Sequence, residues 1–142
     1  MKSIKLFFFI SISFTILSCS NTITKANLET LNGYWEIEQV TTSDGSTKQY
    51  KVNTTVDYIE ITDSLSGSRT KVNPSLDGTF TTNNNQEFFT LQQEGDHFIF
   101  KYKNALDEWQ EELIDLDENH FTVKNPTGNT YYYKRYENIT IE

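Results

Sequence analysis

The chain has 142 residues, with 12 Lys and Arg against 20 Asp and Glu, so it is one domain's worth of acidic protein with a net charge of −8. That balance argues against a nucleic-acid grip, which needs clustered Lys and Arg to displace counterions from phosphate. The single cysteine rules out an internal disulfide and a zinc site built on several thiolates. From the amino terminus, Lys2 and Lys5 precede Leu6 to Leu17, twelve residues without a charge, and Ser18-Cys19 follows. A basic start, a short apolar run and a small residue before the cut are the parts of an export signal. A membrane span takes roughly 20 apolar residues, and this run is too short.

Ile16-Leu17-Ser18-Cys19 resembles the lipobox of bacterial lipoproteins, which runs aliphatic, variable, small, then Cys. The resemblance implies a diacylglyceryl group on the Cys19 sulfur, cleavage after Ser18, and acylation of the new amino terminus with a palmitate-type chain. One acyl chain binds a bilayer marginally, whereas two or three anchor durably. The alternative is an ordinary secreted protein whose Cys19 stays unmodified. Residues 1–18 are then a signal peptide, 19–27 the lipidated cysteine and its polar tether, and 28–142 the folded domain. The Asn-, Thr- and Tyr-rich composition is similar to that of lipoproteins of the Bacteroidetes type. In those proteins acidic residues just after the cysteine accompany surface export. None follows Cys19, so the resemblance implies a cell-envelope protein anchored by lipid in the outer membrane and facing the periplasm.

Once Lys2 and Lys5 leave with the signal, 20 acidic residues face 10 basic ones. Aliphatic residues are sparse, and six Phe, eight Tyr and two Trp supply most of the buriable area. Ala26 to Leu31 suggests one or two helical turns. Period-two alternation then recurs at Trp35 to Val40, Gln49 to Val52, Val56 to Ile61, Arg69 to Val72, Thr79 to Thr82, Glu87 to Leu91, Phe98 to Tyr102, Trp109 to Ile114, Phe121 to Val123 and Tyr131 to Tyr136. Turn residues separate these runs, among them Ser43-Asp44-Gly45, Asp77-Gly78, Asn83 to Asn85, Glu94-Gly95-Asp96 and Pro126-Thr127-Gly128. Sequential hairpins leave two raw sheet edges unless the sheet closes, so the expectation is an all-β, antiparallel up-and-down meander barrel of about 8–10 strands. The more apolar parity of each run gives an inward set of Trp35, Ile37, Phe80, Phe89, Leu91, Phe98, Phe100, Tyr102, Phe121 and Val123. In Val56 to Ile61 and Tyr131 to Tyr136 both parities are apolar or aromatic, which fits either an outer side covered by a membrane or partner or, the favoured reading, an ordinary strand with exposed tyrosines.

Leu31-Asn32-Gly33-Tyr34-Trp35 resembles the Gly-x-Trp opening of lipocalin-like lipoproteins, and Tyr131 to Tyr136 is similar to their last strand. The resemblance implies a barrel-closing group: Gly33 allows the tight start, Trp35 plugs the floor, and Arg135 lies over its ring. It also implies a small apolar or amphipathic ligand, with Phe89, Phe98, Phe100, Tyr102 and Phe121 as lining candidates. The chain lacks a Thr-Asp-Tyr-like second motif and is shorter than usual, which bears on how roomy the cavity is; ligand binding is the leading expectation, and the alternative is a filled barrel that meets an envelope protein through loops or an exposed edge strand.

Catalytic chemistry is thinly represented. His97 and His120 sit beside turns, where solvated histidines are common. Asp115-Leu-Asp117-Glu-Asn119 imitates the start of a calcium loop, but His120 stands where Gly is needed and Pro126 where Glu is. Adjacent carboxylates such as Glu111-Glu112 point to opposite faces of a strand, so they make no acid–base pair. Neither a Gly-x-Ser-x-Gly elbow nor a phosphate-binding glycine loop is present. The expectation is a protein that is not an enzyme, without metal or cofactor, and without nucleic acid among its partners.

Overall fold

The computed structural model describes residues 22–62 and 64–138. The lipobox and Cys19 lie outside the described residues. A 3₁₀ helix, Lys25–Leu31, precedes nine strands: β1 (Gly33–Thr41), β2 (Thr47–Gln49), β3 (Val56–Ile61), β4 (Ser66–Pro74), β5 (Phe80–Glu94), β6 (His97–Lys103), β7 (Glu108–Leu116), β8 (His120–Lys124) and β9 (Thr130–Arg135). Three residues per turn bring Leu28 and Leu31 onto one face of that helix, and both are buried against the barrel. Ile23, just before it, also packs against the core.

Every neighbouring pair from β3 to β9 is antiparallel and consecutive, and β1 pairs with both β3 and β9. The sheet is therefore closed, which removes its edges where the ladder is complete. β2 pairs only with the far half of β1, at Gln39 to Thr41, beyond the part that β3 occupies. Eight strands go around the barrel and β2 extends one of them.

Bulges decide which side chains enter. In β1 the register shifts between Ile37 and Gln39, so Ile37 lies opposite Tyr133 while Val40 lies opposite Tyr131. In β7 a shift between Leu113 and Asp115 lets Leu113 and Leu116 both face the core while Ile114 is turned out. The largest irregularity is in β5. The two-residue step from Thr70 to Val72 on β4 faces a four-residue step from Gln86 to Thr82. Asn83 to Asn85, expected to be a turn between two strands, is this bulge, and the two runs join into one strand. Asn84 takes a φ of 60°, a left-handed conformation that Asn tolerates better than most residues.

The join also corrects the place of Phe80. The bulge adds an even number of residues, so the parity set by Phe89 and Leu91 carries through it and puts Phe80 outside. There its ring stacks on Tyr34 at 4.2 Å and meets Tyr136 edge-on at 5.9 Å, while Tyr34 also touches Tyr58 at 4.7 Å. Val56 and Val72 share this outward parity and are still buried. The far end of the β4–β5 hairpin thus folds back over the outer wall, and the cover for β3 and the end of β9 is the chain itself.

Phe80→Ala should lower stability by about 1–2 kcal/mol in urea unfolding. Leu76→Ala, on the same hairpin tip but 76% exposed, should stay within about 0.5 kcal/mol.

Candidate functional site

At the closed end, Gly33, Trp35 and Arg135 come together. Trp35 is fully buried, its indole Nε1–H donates to the Leu31 carbonyl at 2.7 Å, and Phe121 meets it edge-on at 4.8 Å. The Arg135 guanidinium lies 3.8 Å above the Trp35 ring. It also donates to three backbone carbonyls, Glu118 at 2.8 Å, Asn32 at 2.7 Å and Thr30. Two of those acceptors belong to the end of the 3₁₀ helix, where carbonyls lack partners and a cation is favoured. Gly33 has a φ of +123°, and a Cβ there would sit 2.7 Å from Arg135 Nη1. Glycine is required on both counts. Burial lowers the Arg135 pKa from its ordinary value, yet the group stays charged. This constellation holds a floor in place and presents no reactive atom to solvent.

Further up, the lumen is occupied. Phe98, Phe100 and Phe121 are almost fully buried, Phe89 meets Phe100 at 4.9 Å, and Phe121 stacks on Tyr133 at 4.5 Å. Above them Arg69, 7% exposed, reaches inward from β4. It donates to Asp57 on β3 at 2.6 Å and to the Tyr133 hydroxyl on β9 at 2.5 Å, with longer contacts of 3.4 Å to Tyr102 on β6 and Glu111 on β7. Lys71 closes the set with a 2.8 Å bond to Asp57. One guanidinium therefore spans the interior and ties five strands together.

The electrostatics follow from burial and pairing. Burial works to raise the Asp57 pKa, but Arg69 and then Lys71 outweigh it and hold the carboxyl below its ordinary value. Burial raises Glu111, and its more distant Arg69 contact compensates only in part. Burial pushes the Tyr133 hydroxyl up to about 12 and Tyr102 higher still, so both stay protonated; each accepts from Arg69, and Tyr102 donates to Glu111 at 3.4 Å. A buried charge left unpaired is costly, which makes this cluster depend above all on the Arg69–Asp57 pair.

A depression of about 890 Å³ lies across β4 to β7, lined by Phe88, Thr90 and Lys101 of outward parity together with Phe89, Tyr102 and Trp109 of inward parity, and by Pro126 from the β8–β9 turn. Phe88 is 63% exposed. Of the expected lining residues, Phe98, Phe100 and Phe121 are packed in the core, while Phe89 and Tyr102 border this depression from the strands that carry them. His97 and His120 are exposed, beside Glu112 at 3.1 Å and Asp117 at 3.5 Å. No metal-holding group of His, Cys, Asp and Glu occurs among the described residues.

Sequence reasoning missed Asp57, Arg69 and Glu111. The available signal was that Asp57 shares its parity with Ile59 and Ile61, so an acidic residue sits on an otherwise apolar face.

No protein-family description matches the chain, and no curated protein does. Among solved structures, it is similar to a lipocalin-like protein from Bacteroides uniformis, with a TM-score of 0.49, 15% identity, and coverage of 75% of this chain and 99% of that one. It is also similar to an uncharacterized protein from Bacteroides eggerthii, with a TM-score of 0.48, 11% identity and the same coverages of 75% and 99%. These likenesses concern the fold. By its own strand order and closing pair, the chain is an eight-stranded, antiparallel, closed up-and-down barrel. Trp35→Ala should cost about 3–5 kcal/mol in urea unfolding, through the cavity it leaves beneath Arg135.

Arg69→Met should cost about 3–5 kcal/mol, because Asp57 loses its main partner inside the barrel. The two carboxyls should act oppositely with pH. Asp57, lowered on folding, stabilises fully above its ordinary range, and that contribution disappears as pH falls through the folded value; Asp57→Asn should remove this acid-side slope. Glu111, raised on folding, contributes fully below its ordinary range and loses that contribution as pH rises through the folded value. Glu111→Gln should flatten that limb and leave stability at neutral pH unchanged or higher. Urea unfolding from acid to neutral pH reads both.

Proposed function

We propose that this protein is a lipid-anchored, non-enzymatic binding protein of the cell envelope, and that it works through the outside of a filled barrel. The observation that carries the reading is the occupied lumen: Arg69 crosses it and an aromatic stack fills it below. Asp57 and Glu111, the buried carboxylates, are committed to that arginine, which supports the absence of catalysis. The lipobox supports the anchor. Ile23 packs against the core only four residues after Cys19, a reach of about 14 Å at full extension, so the tether would leave from the closed end and keep it near the bilayer. The partner is then a protein of the envelope, met on the outer membrane's periplasmic side. A second reading, a small apolar or amphipathic ligand, is favoured by the depression beside exposed Phe88.

Cys19→Ser should move the protein from the membrane fraction to the soluble one; unchanged membrane association overturns the anchor. Native mass spectrometry of a soluble form beginning at Ser20 should give the bare polypeptide mass. A hydrophobic molecule that survives Phe88→Ala but is lost on enlarging Val123 would place a ligand in the lumen and overturn the filled barrel.

A further inference from the structure

β4 leaves the barrel wall after Val72. Up to that residue it pairs with β3, whereas Asn73 and Pro74 pair with β5 alone. The Ser75 N–H donates to the Thr79 carbonyl at 2.8 Å, so by strand alternation the Pro74 nitrogen faces the β3 side, where it has no hydrogen to offer. Beyond Pro74 the hairpin closes on itself. The Gly78 N–H donates to the Ser75 carbonyl at 3.0 Å, and the Asp77 carboxylate accepts from the Thr79 N–H at 3.0 Å and from its hydroxyl at 2.7 Å. Residues 73–82 therefore form a finished unit, a flap with its own ladder and its own turn. Among the described residues, no main-chain hydrogen bond joins this flap to β1 or β9, the strands it covers. The Phe80 ring holds it down, stacked on Tyr34 at 4.2 Å and edge-on to Tyr136 at 5.9 Å. The flap turns back at the β5 bulge, where four residues of β5 match two of β4, Asn84 has a φ of 60°, and the Asn84 N–H donates to the Thr82 hydroxyl at 3.1 Å.

We propose that the flap exchanges between two copies of this chain, with Phe80 of each copy seated on Tyr34 and Tyr136 of the other. Lifting the flap uncovers an aromatic cleft of Tyr34, Tyr58 and Tyr136 on the outer wall, and the group shaped to fill it is a ring carried on a preformed hairpin. A second copy brings that hairpin ready-made. The ring contacts are the same in the exchanged pair as within one copy, and only the bend at the bulge has to open. Exchange is also reciprocal: each copy gives one flap and receives one, so the assembly closes at two. This partner is distinct from the envelope protein inferred above. The inference rests neither on the lipid anchor nor on the contents of the lumen.

The test uses the full chain in nonionic detergent, with size-exclusion chromatography and light scattering over a concentration series. The protein should pass from monomer to dimer as concentration rises, and Phe80→Ala should move the midpoint upward by about tenfold or more. Deleting Asn83 and Asn84 leaves two-residue steps on both strands, preserves the parity of Phe80 and removes the bend, so the flap runs straight and misses its own wall. That shortened chain should be dimeric at a roughly tenfold lower concentration. Within it, Phe80→Ala and Tyr34→Ala should each give monomers. Mixing the two should restore a mixed dimer in native mass spectrometry, because one sound flap still meets one sound wall. If the shortened chain does not fold, the same two substitutions and their mixture are compared at full length. Three results would overturn the proposal: monomers at every concentration, a dimer indifferent to Phe80→Ala and Tyr34→Ala, or a mixture no more associated than its components.

Discussion

A charge inside a small barrel must be matched on the spot, and Arg69 sets the terms for everything around it. Its guanidinium is planar, permanently charged and shielded from water, so oxygen atoms have to converge on it from several directions. Asp57, Tyr133, Tyr102 and Glu111 do so from four different strands. That convergence fixes the relative positions of β3, β4, β6, β7 and β9 more tightly than apolar contact alone, which is non-directional. It also takes up part of the interior that a barrel of this size encloses.

The closed end solves a different problem with the same residue type. Arg135 lies over Trp35 and feeds its N–H groups to carbonyls at the end of the 3₁₀ helix, so a cation is satisfied there by backbone and a π face. Two arginines, at two heights in the barrel, are held by different chemistry: carboxylates and hydroxyls above, peptide carbonyls and indole below.

Much of the architecture was legible because alternation and turn chemistry agree along most of the chain. The runs around Phe98, Phe100 and Tyr102, or Phe121 and Val123, have one apolar parity and a turn at each end, and they fold as expected. Legibility failed where two runs join into one strand. Asn83 to Asn85 has the composition of a turn, and only the continuous ladder on β4 shows it to be a bulge; Phe80 was misplaced because its run was given a parity of its own. The apolar content of Val56 to Ile61 allowed a covered outer face beside the favoured reading of exposed tyrosines, and local pattern could not name the returning hairpin as the cover. For the site, the Gly33–Trp35–Arg135 grouping was readable from motif resemblance. The Arg69 cluster was not, because the four oxygen-bearing partners of Arg69 lie 12 to 64 residues from it in sequence and its charged members are ordinary surface residue types on their own.

Gly33 has no side chain, and the guanidinium from the final strand fills the space that a methyl group would claim. The start of β1 and the finish of β9 are thereby interlocked at one rim, with β1 and β9 also joined along their length. In hydrogen-bonding terms the wall is a loop without a privileged first member. Chain connectivity could be cut at a distant turn and rejoined near this rim with every ladder preserved, so the order in which the ribosome delivers the strands is incidental to which of them touch.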